Sequence, residues 1–111
     1  MRVLAFDVGT KTLSYCCLEV NPPSEGEAPP PPRVHAWETI NIHDEAGLSE
    51  KAKPTMREDA EYVMNTLRRR EAAMRDLVPD AVVIEQQPAG RHNMFSSVRM
   101  KVLSHVIHAF F

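Results

Sequence analysis

Two carboxylates in this chain sit where their chemistry would be unusual. Asp7 closes the apolar run "VLAFD" and is followed two residues later by Gly9, and Glu85 closes the run "AVVIE". Strand interiors avoid aspartate, and a buried carboxylate is costly unless a partner neutralises it. Taken singly, Asp7 reads as the start of a turn with Gly9, and Glu85 as a cap on a strand exit. Taken together they suggest more. If the two runs are parallel neighbours in one sheet, both acids stand at its C-terminal edge, where ligands of such sheets gather. Neighbouring strands lie about 4.8 Å apart. Like charges about 5 Å apart repel by roughly 3 kcal/mol at an effective dielectric near 20. Either one acid is protonated or a cation sits between them. Hard divalent cations take oxygen ligands, and Mg2+ (or Mn2+) is the usual partner of a few carboxylates plus phosphate. Asp7 and Glu85 are therefore the candidate metal ligands.

The elements that must position these acids follow from pattern. Residues 2–8 read as a buried strand, Gly9 and Thr10 turn the chain, and "TLSYCCLEV" (12–20) returns as the second arm of a hairpin. Residues 21–32, "NPPSEGEAPPPP", form a solvated proline-rich connection with polyproline II character, and "RVHAWETINI" (33–42) is a third strand. After the helix-breaking Pro54, a helix is predicted over roughly 55–78. Its core face would be Met56, Ala60, Val63, Met64, Leu67, Met74 and Val78, with "RRR" at 68–70 on a solvated face. Pro79 and Asp80 end it, 81–85 is a short apolar strand, and "QQPAGRHN" is a loop. A second helix is expected from Met94, with Phe95, Val98, Val102, Val106 and Phe110 inward. The order is β-β-β-α-β-α. A right-handed helical crossover after three antiparallel strands sets the fourth strand parallel to the first.

The 111 residues amount to one domain, 1–111, with one core. No apolar run approaches the roughly 20 residues needed to cross a bilayer, and because Met1 leads almost directly into the first strand, no cleavable signal or transit peptide is expected. Adjacent Cys16 and Cys17 would point to opposite faces of a strand, so a reduced, intracellular setting is expected. A net charge of -2 excludes a uniformly basic nucleic-acid binder and leaves room for a local basic patch. His105 and His108 could share a helix face and bind a metal but read as surface or interface histidines, and Trp37 could stack on a base but reads as packing against the helices.

"FDVGTKTLSYCCLEV" followed by "VVIEQQPAGRHNMFSSVRMKVL" resembles the RuvC-type Holliday junction resolvases of the RNase H-like superfamily, in the branch of poxviruses, other large DNA viruses and fungal mitochondria. The resemblance implies an α/β, RNase H-like fold and a nuclease that cuts four-way DNA junctions. Asp7 and Glu85 would match two catalytic acids, binding divalent metal that activates water for in-line attack on a phosphodiester. Gly9 would let the backbone pass close to metal and phosphate. Lys11, Gln86, Gln87 and Arg91 would flank the scissile phosphate, and Arg99 and Lys101 would reach neighbouring backbone. A near-two-fold junction suits a homodimer, and an apolar last helix could serve one. Such resolvases complete their site with one or two acids on a later helix, and nothing after Glu85 is acidic. The chain therefore reads as a truncated fragment, an early-terminated reading frame or a degenerate copy, with the N-terminal portion of a resolvase preferred, and weak or absent activity is expected from it alone.

Two other readings compete. "FDVGTKT" also resembles the phosphate loop of the actin, sugar-kinase and Hsp70 superfamily, although no second Asp-x-Gly loop occurs. The missing acids also fit a catalytically inactive DNA-binding or interaction module of the same fold.

Overall fold

The computed structural model describes residues 1–9, 11–85, 107 and 111. Four strands, β1 (Arg2–Val8), β2 (Thr12–Glu19), β3 (Arg33–Asn41) and β4 (Ala81–Ile84), form one mixed sheet in the order β3-β2-β1-β4. β1 pairs antiparallel with β2 and parallel with β4, and β2 pairs antiparallel with β3. The crossover carries three helices, α1 (Ile42–Glu45), α2 (Met56–Arg69) and α3 (Glu71–Asp76). This is the mixed α/β sheet of an RNase H-like fold, with the expected parallel relation of first and last strands.

Alternation along the strands gives the sheet two faces. Leu4, Phe6 and Val8 of β1, Leu13, Tyr15 and Cys17 of β2 and Ile40 of β3 form a core with Val63 and Leu67 of α2, Met74 of α3 and Ile107. The opposite face carries Val3, Ala5 and Asp7, and beside them Ser14 and Cys16. Cys16 and Cys17 thus part as expected, both free, Cys17 buried and Cys16 half-buried.

The turn between β1 and β2 is tight because Gly9 donates its amide to the Thr12 carbonyl at 2.8 Å. A Cβ on Gly9 would come within 2.8 Å of Thr12 Oγ1 and 3.2 Å of the Thr12 carbonyl oxygen. The hydroxyl can swing away, but the carbonyl is held in the turn. Gly9→Ala is expected to lower stability by about 1 kcal/mol, read as a shift in the urea midpoint with unchanged slope.

The start of β4 is latched to the start of β1. Arg2 N donates to Asp80 Oδ2 at 2.8 Å, Asp80 N donates to the Arg2 carbonyl at 2.8 Å, and the Arg2 guanidinium donates to the Leu77 carbonyl. The latch has a sequence offset of 78 residues, and every β1–β4 pair keeps it, from Val3 beside Ala81 to Phe6 beside Ile84. One turn therefore sets the register of the whole parallel pair.

The helical segment departs from expectation. Its start holds: Thr55 caps α2 in a reciprocal box, with Thr55 Oγ1 accepting from Glu58 N and Glu58 Oε1 accepting from Thr55 N. The expected single helix instead breaks at Arg70, and a four-residue helix, α1, precedes it. Val78 is not on the core face. It takes a positive φ of 49°, rare for a β-branched residue, and points to solvent while Leu77 packs inward. The core face also takes two polar side chains, Thr66 and Asp59, the latter 2.9 Å from His43 Nε2.

Arg68 and Arg69 are exposed as expected of 68–70, but Arg70 is not. Its Nε donates to Glu38 Oε1 at 2.5 Å, its Nη2 to Glu45 Oε2 at 2.5 Å, and its Nη1 to Glu45 Oε1 at 3.0 Å. Arg69 adds a bond to Glu45 Oε1 at 3.0 Å. β3, α1 and the end of α2 are thereby pinned by one guanidinium. Hydrogen bonds from Arg70, then its charge and Arg69, hold the Glu45 carboxyl below the usual carboxylate range against the opposing effect of burial.

Residues 20–32 are all exposed and link β2 to β3, as expected for the proline-rich stretch. The helix expected from Met94, with Phe95, Val98, Val102, Val106 and Phe110, lies outside the described residues, as do His105 and His108. Beyond Glu85, Ile107 is fully buried and the Phe111 ring lies 5.5 Å from that of Phe6. No helix among the described residues is long and apolar enough to cross a membrane.

Candidate functional site

Extending the β1–β4 register by one residue past Phe6 and Ile84 places Asp7 beside Glu85. The backbone continues that way, since Glu85 N donates to the Phe6 carbonyl at 3.4 Å. Parity puts both side chains on the face away from the core. Phe6 and Val8 flank Asp7 and point inward, and Ile84 beside Glu85 packs against the core. Both acids are exposed, at the C-terminal ends of strands about 4.8 Å apart.

Among the described residues neither carboxylate has a hydrogen-bond or ion-pair partner, although most other acids near the sheet do. Two neighbouring, unengaged carboxylates on parallel strand ends offer up to four oxygen acceptors. That donor set fits a hard divalent cation and offers nothing to a soft one. No cluster of three or more His, Cys, Asp or Glu side chains suited to a metal occurs among the described residues.

The row through Asp7 continues across the sheet. Asp7 is paired with Ser14, and Ser14 with Thr39. The two hydroxyls lie 3.0 Å apart, hydrogen-bonded to one another. These two polar neighbours of the acids were not singled out in the sequence. The tight turn at Gly9 contained the signal, because a short hairpin fixes which residue of β2 stands opposite Asp7.

Lys11 lies on the turn at the same end of the sheet, its side chain exposed and its carbonyl accepting from Ile42 N at 2.8 Å. It is the one basic candidate the described residues place near the acids. Gln86, Gln87, Arg91, Arg99 and Lys101 lie outside them. Gly9 has a local reason to be glycine in its close approach to Thr12.

Trp37 does not pack against the helices. Regular alternation with Thr39 puts Trp37 opposite Cys16 on the outer face, 77% exposed, and the bulge beyond it, where Cys17 pairs with Ala36 but Leu18 with Val34, brings Val34 to the same face.

A sheet of this order, with paired acids at the ends of its two parallel strands, is what the RNase H-like expectation requires. Residues 3–111 match the family described as mitochondrial resolvase Ydc2 / RNA splicing MRS1. No curated protein matches the chain. The match runs across nearly every residue and falls with resolvases, not with the ATP-binding superfamily that shares the "FDVGTKT" turn. The chain belongs to the mitochondrial resolvase Ydc2 / RNA splicing MRS1 family, as a resolvase-type domain.

Proposed function

We propose that this domain is a metal-dependent endonuclease that cuts phosphodiester bonds in four-way DNA junctions, in the recombination, repair or resolution of a genome. The observation that supports this most is the side-by-side placement of Asp7 and Glu85, unengaged, on the open face of the sheet. These two would hold Mg2+ (or Mn2+). When bound, the ion would supply Lewis-acid stabilisation of the phosphate's developing charge and make water a stronger nucleophile.

The chain's own residues do the rest. Asp7 and Glu85 fix where the ion and the scissile phosphate meet. Lys11 offsets the repulsion between the acid pair and a DNA strand. Gln86, Gln87, Arg91, Arg99 and Lys101 extend the phosphate contacts, which hold register without reading sequence. Paired cuts across a nearly two-fold junction call for two copies, so the working form is a homodimer. The family name points to a DNA-containing compartment, the mitochondrion.

A second reading is favoured by a specific observation: among the described residues only two acids gather at the site. Two carboxylates hold one cation weakly. A member of this family, whose name also covers an RNA-splicing protein, could bind branched nucleic acid without cutting it.

The two readings part in one experiment. A synthetic four-way DNA junction is incubated with the protein and Mg2+, then with a chelator, while Mn2+ binding is followed by its electron paramagnetic resonance signal. Cleavage that stops on chelation and returns with added metal, alongside Mn2+ binding, is the expected result. Junction binding with no cleavage at any metal concentration would favour the second reading, and neither binding nor cleavage would overturn both.

A further inference from the structure

The outer face of the sheet is sorted into rows. At the C-terminal edge of β1 the row Thr39, Ser14, Asp7 is polar and ends beside Glu85. One step back, the row Trp37, Cys16, Ala5, Val83 is apolar, and so is the next, Val34, Leu18, Val3, Ala81. The outer members of the apolar rows are bare, with Trp37 77%, Val34 55% and Val83 51% exposed. Burying an indole removes more apolar surface from water than burying almost any other side chain. A tryptophan left out on a face that also carries an acid pair is thus a recognition feature.

We infer that Trp37 is a stacking platform for an unpaired base of the DNA strand whose phosphate lies at Asp7 and Glu85. The inference rests on the nuclease reading above and names a contact that reading does not contain. Three features of the face select this occupant. Trp37 stands about 12 Å from Asp7 by backbone position, two strand spacings across and one two-residue step along, so a base close to the bound phosphate reaches it. The Ser14–Thr39 hydroxyl pair fills the interval with groups that tolerate a sugar-phosphate backbone. The division into a polar row and an apolar row matches a nucleotide's own division into charged backbone and flat apolar base. A second copy of the chain is a poorer fit, since closing over this face would bury Asp7 and Glu85 against like charge. In an unfolded four-way junction the crossover bases lack a coaxial stacking neighbour, so offering them an indole costs little duplex energy. An aromatic face takes any base, which keeps the contact independent of sequence.

Trp37 is the only tryptophan in the chain, so its emission reports this one position. The full chain is titrated with a four-way DNA junction in Ca2+, a divalent ion with oxygen ligands like those of Mg2+, while fluorescence and gel mobility are read on the same samples. The expected result is quenching of Trp37 in step with the mobility shift. Trp37→Ala should weaken junction binding by about tenfold or more, and Trp37→Phe should recover most of it. Circular dichroism and urea midpoints of both variants should match the parent, because the side chain is exposed. Binding without quenching, or equal affinity of Trp37→Ala and the parent, would overturn the stacking assignment and leave the nuclease reading standing. No binding to the junction would overturn both. A fluorescence change that follows protein concentration instead of DNA, with dimers in sedimentation, would assign the face to a second copy and overturn the base contact. Quenching by structured RNA and not by DNA would likewise overturn it.

Discussion

Asp7→Asn is expected to reduce junction cleavage by at least about a thousandfold while leaving junction affinity equal or slightly improved. The substitution keeps volume and hydrogen-bonding shape and removes one formal charge. Because Asp7 is exposed and has no hydrogen-bond or ion-pair partner among the described residues, its loss should not disturb the fold. It halves the anionic charge of the pair, so Mn2+ binding should weaken with activity. Relief of the repulsion between the acids and a phosphate pushes junction affinity the other way. Glu85→Gln should behave alike, since the two acids are adjacent members of one register. The measurements are single-turnover cleavage of a labelled junction and mobility shift under the same buffer. A variant that cuts at the parental rate would remove Asp7 from the mechanism.

The largest effect on stability is expected at Arg70. Arg70→Met keeps the aliphatic stem and strips three carboxylate bonds, leaving Glu38 and Glu45 facing one another's charge across β3 and α1. Breaking a fully buried pair costs about 3–5 kcal/mol, and the partial exposure of these side chains lowers that to about 2 kcal/mol. For a domain of this size the midpoint of thermal unfolding should fall by roughly 8–15 °C. The effect carries a pH signature. Glu45 is held below its usual range when folded, chiefly by Arg70, so its contribution is complete above the unfolded carboxylate value near about 4.3 and is lost as acid protonates the folded form. The parent should therefore lose stability from about pH 5 downward more steeply than Arg70→Met, with the two curves converging in acid. Parallel curves would mean that Arg70 acts by packing alone.

How much of this was legible in sequence depends on the range of the determining contact. β1, β2 and β4 follow from short apolar runs bounded by Gly9 and by Pro79–Asp80, and the parallel placement of Asp7 by Glu85 follows from chain handedness. The helical segment was harder because its face is not purely apolar. Asp59 and Thr66 occupy core positions that a hydrophobicity count passes over, and the break falls at Arg70, whose guanidinium is held by two glutamates far away in sequence. Val78 was misassigned because one residue in the left-handed region reverses which side chain faces inward. Trp37 shows the same limit on a strand. Unbroken alternation from Asn41 back to Ala36 already sets its face, and what the sequence does not announce is that, among the described residues, this face is left without helices over Trp37. The candidate site was legible as a pair of acids, while its polar surroundings depended on hairpin register.

The exposed run 20–32 leaves β2 where the Val20 amide bonds the Met1 carbonyl and re-enters the sheet at Arg33. It contributes no side chain to the core. Lengthening such a connection costs only about 0.6 kcal/mol per doubling, so foreign polypeptide can be spliced there with little penalty. This bend is a natural port for a fluorescent reporter or affinity handle, one that leaves the acid-bearing end of the molecule untouched.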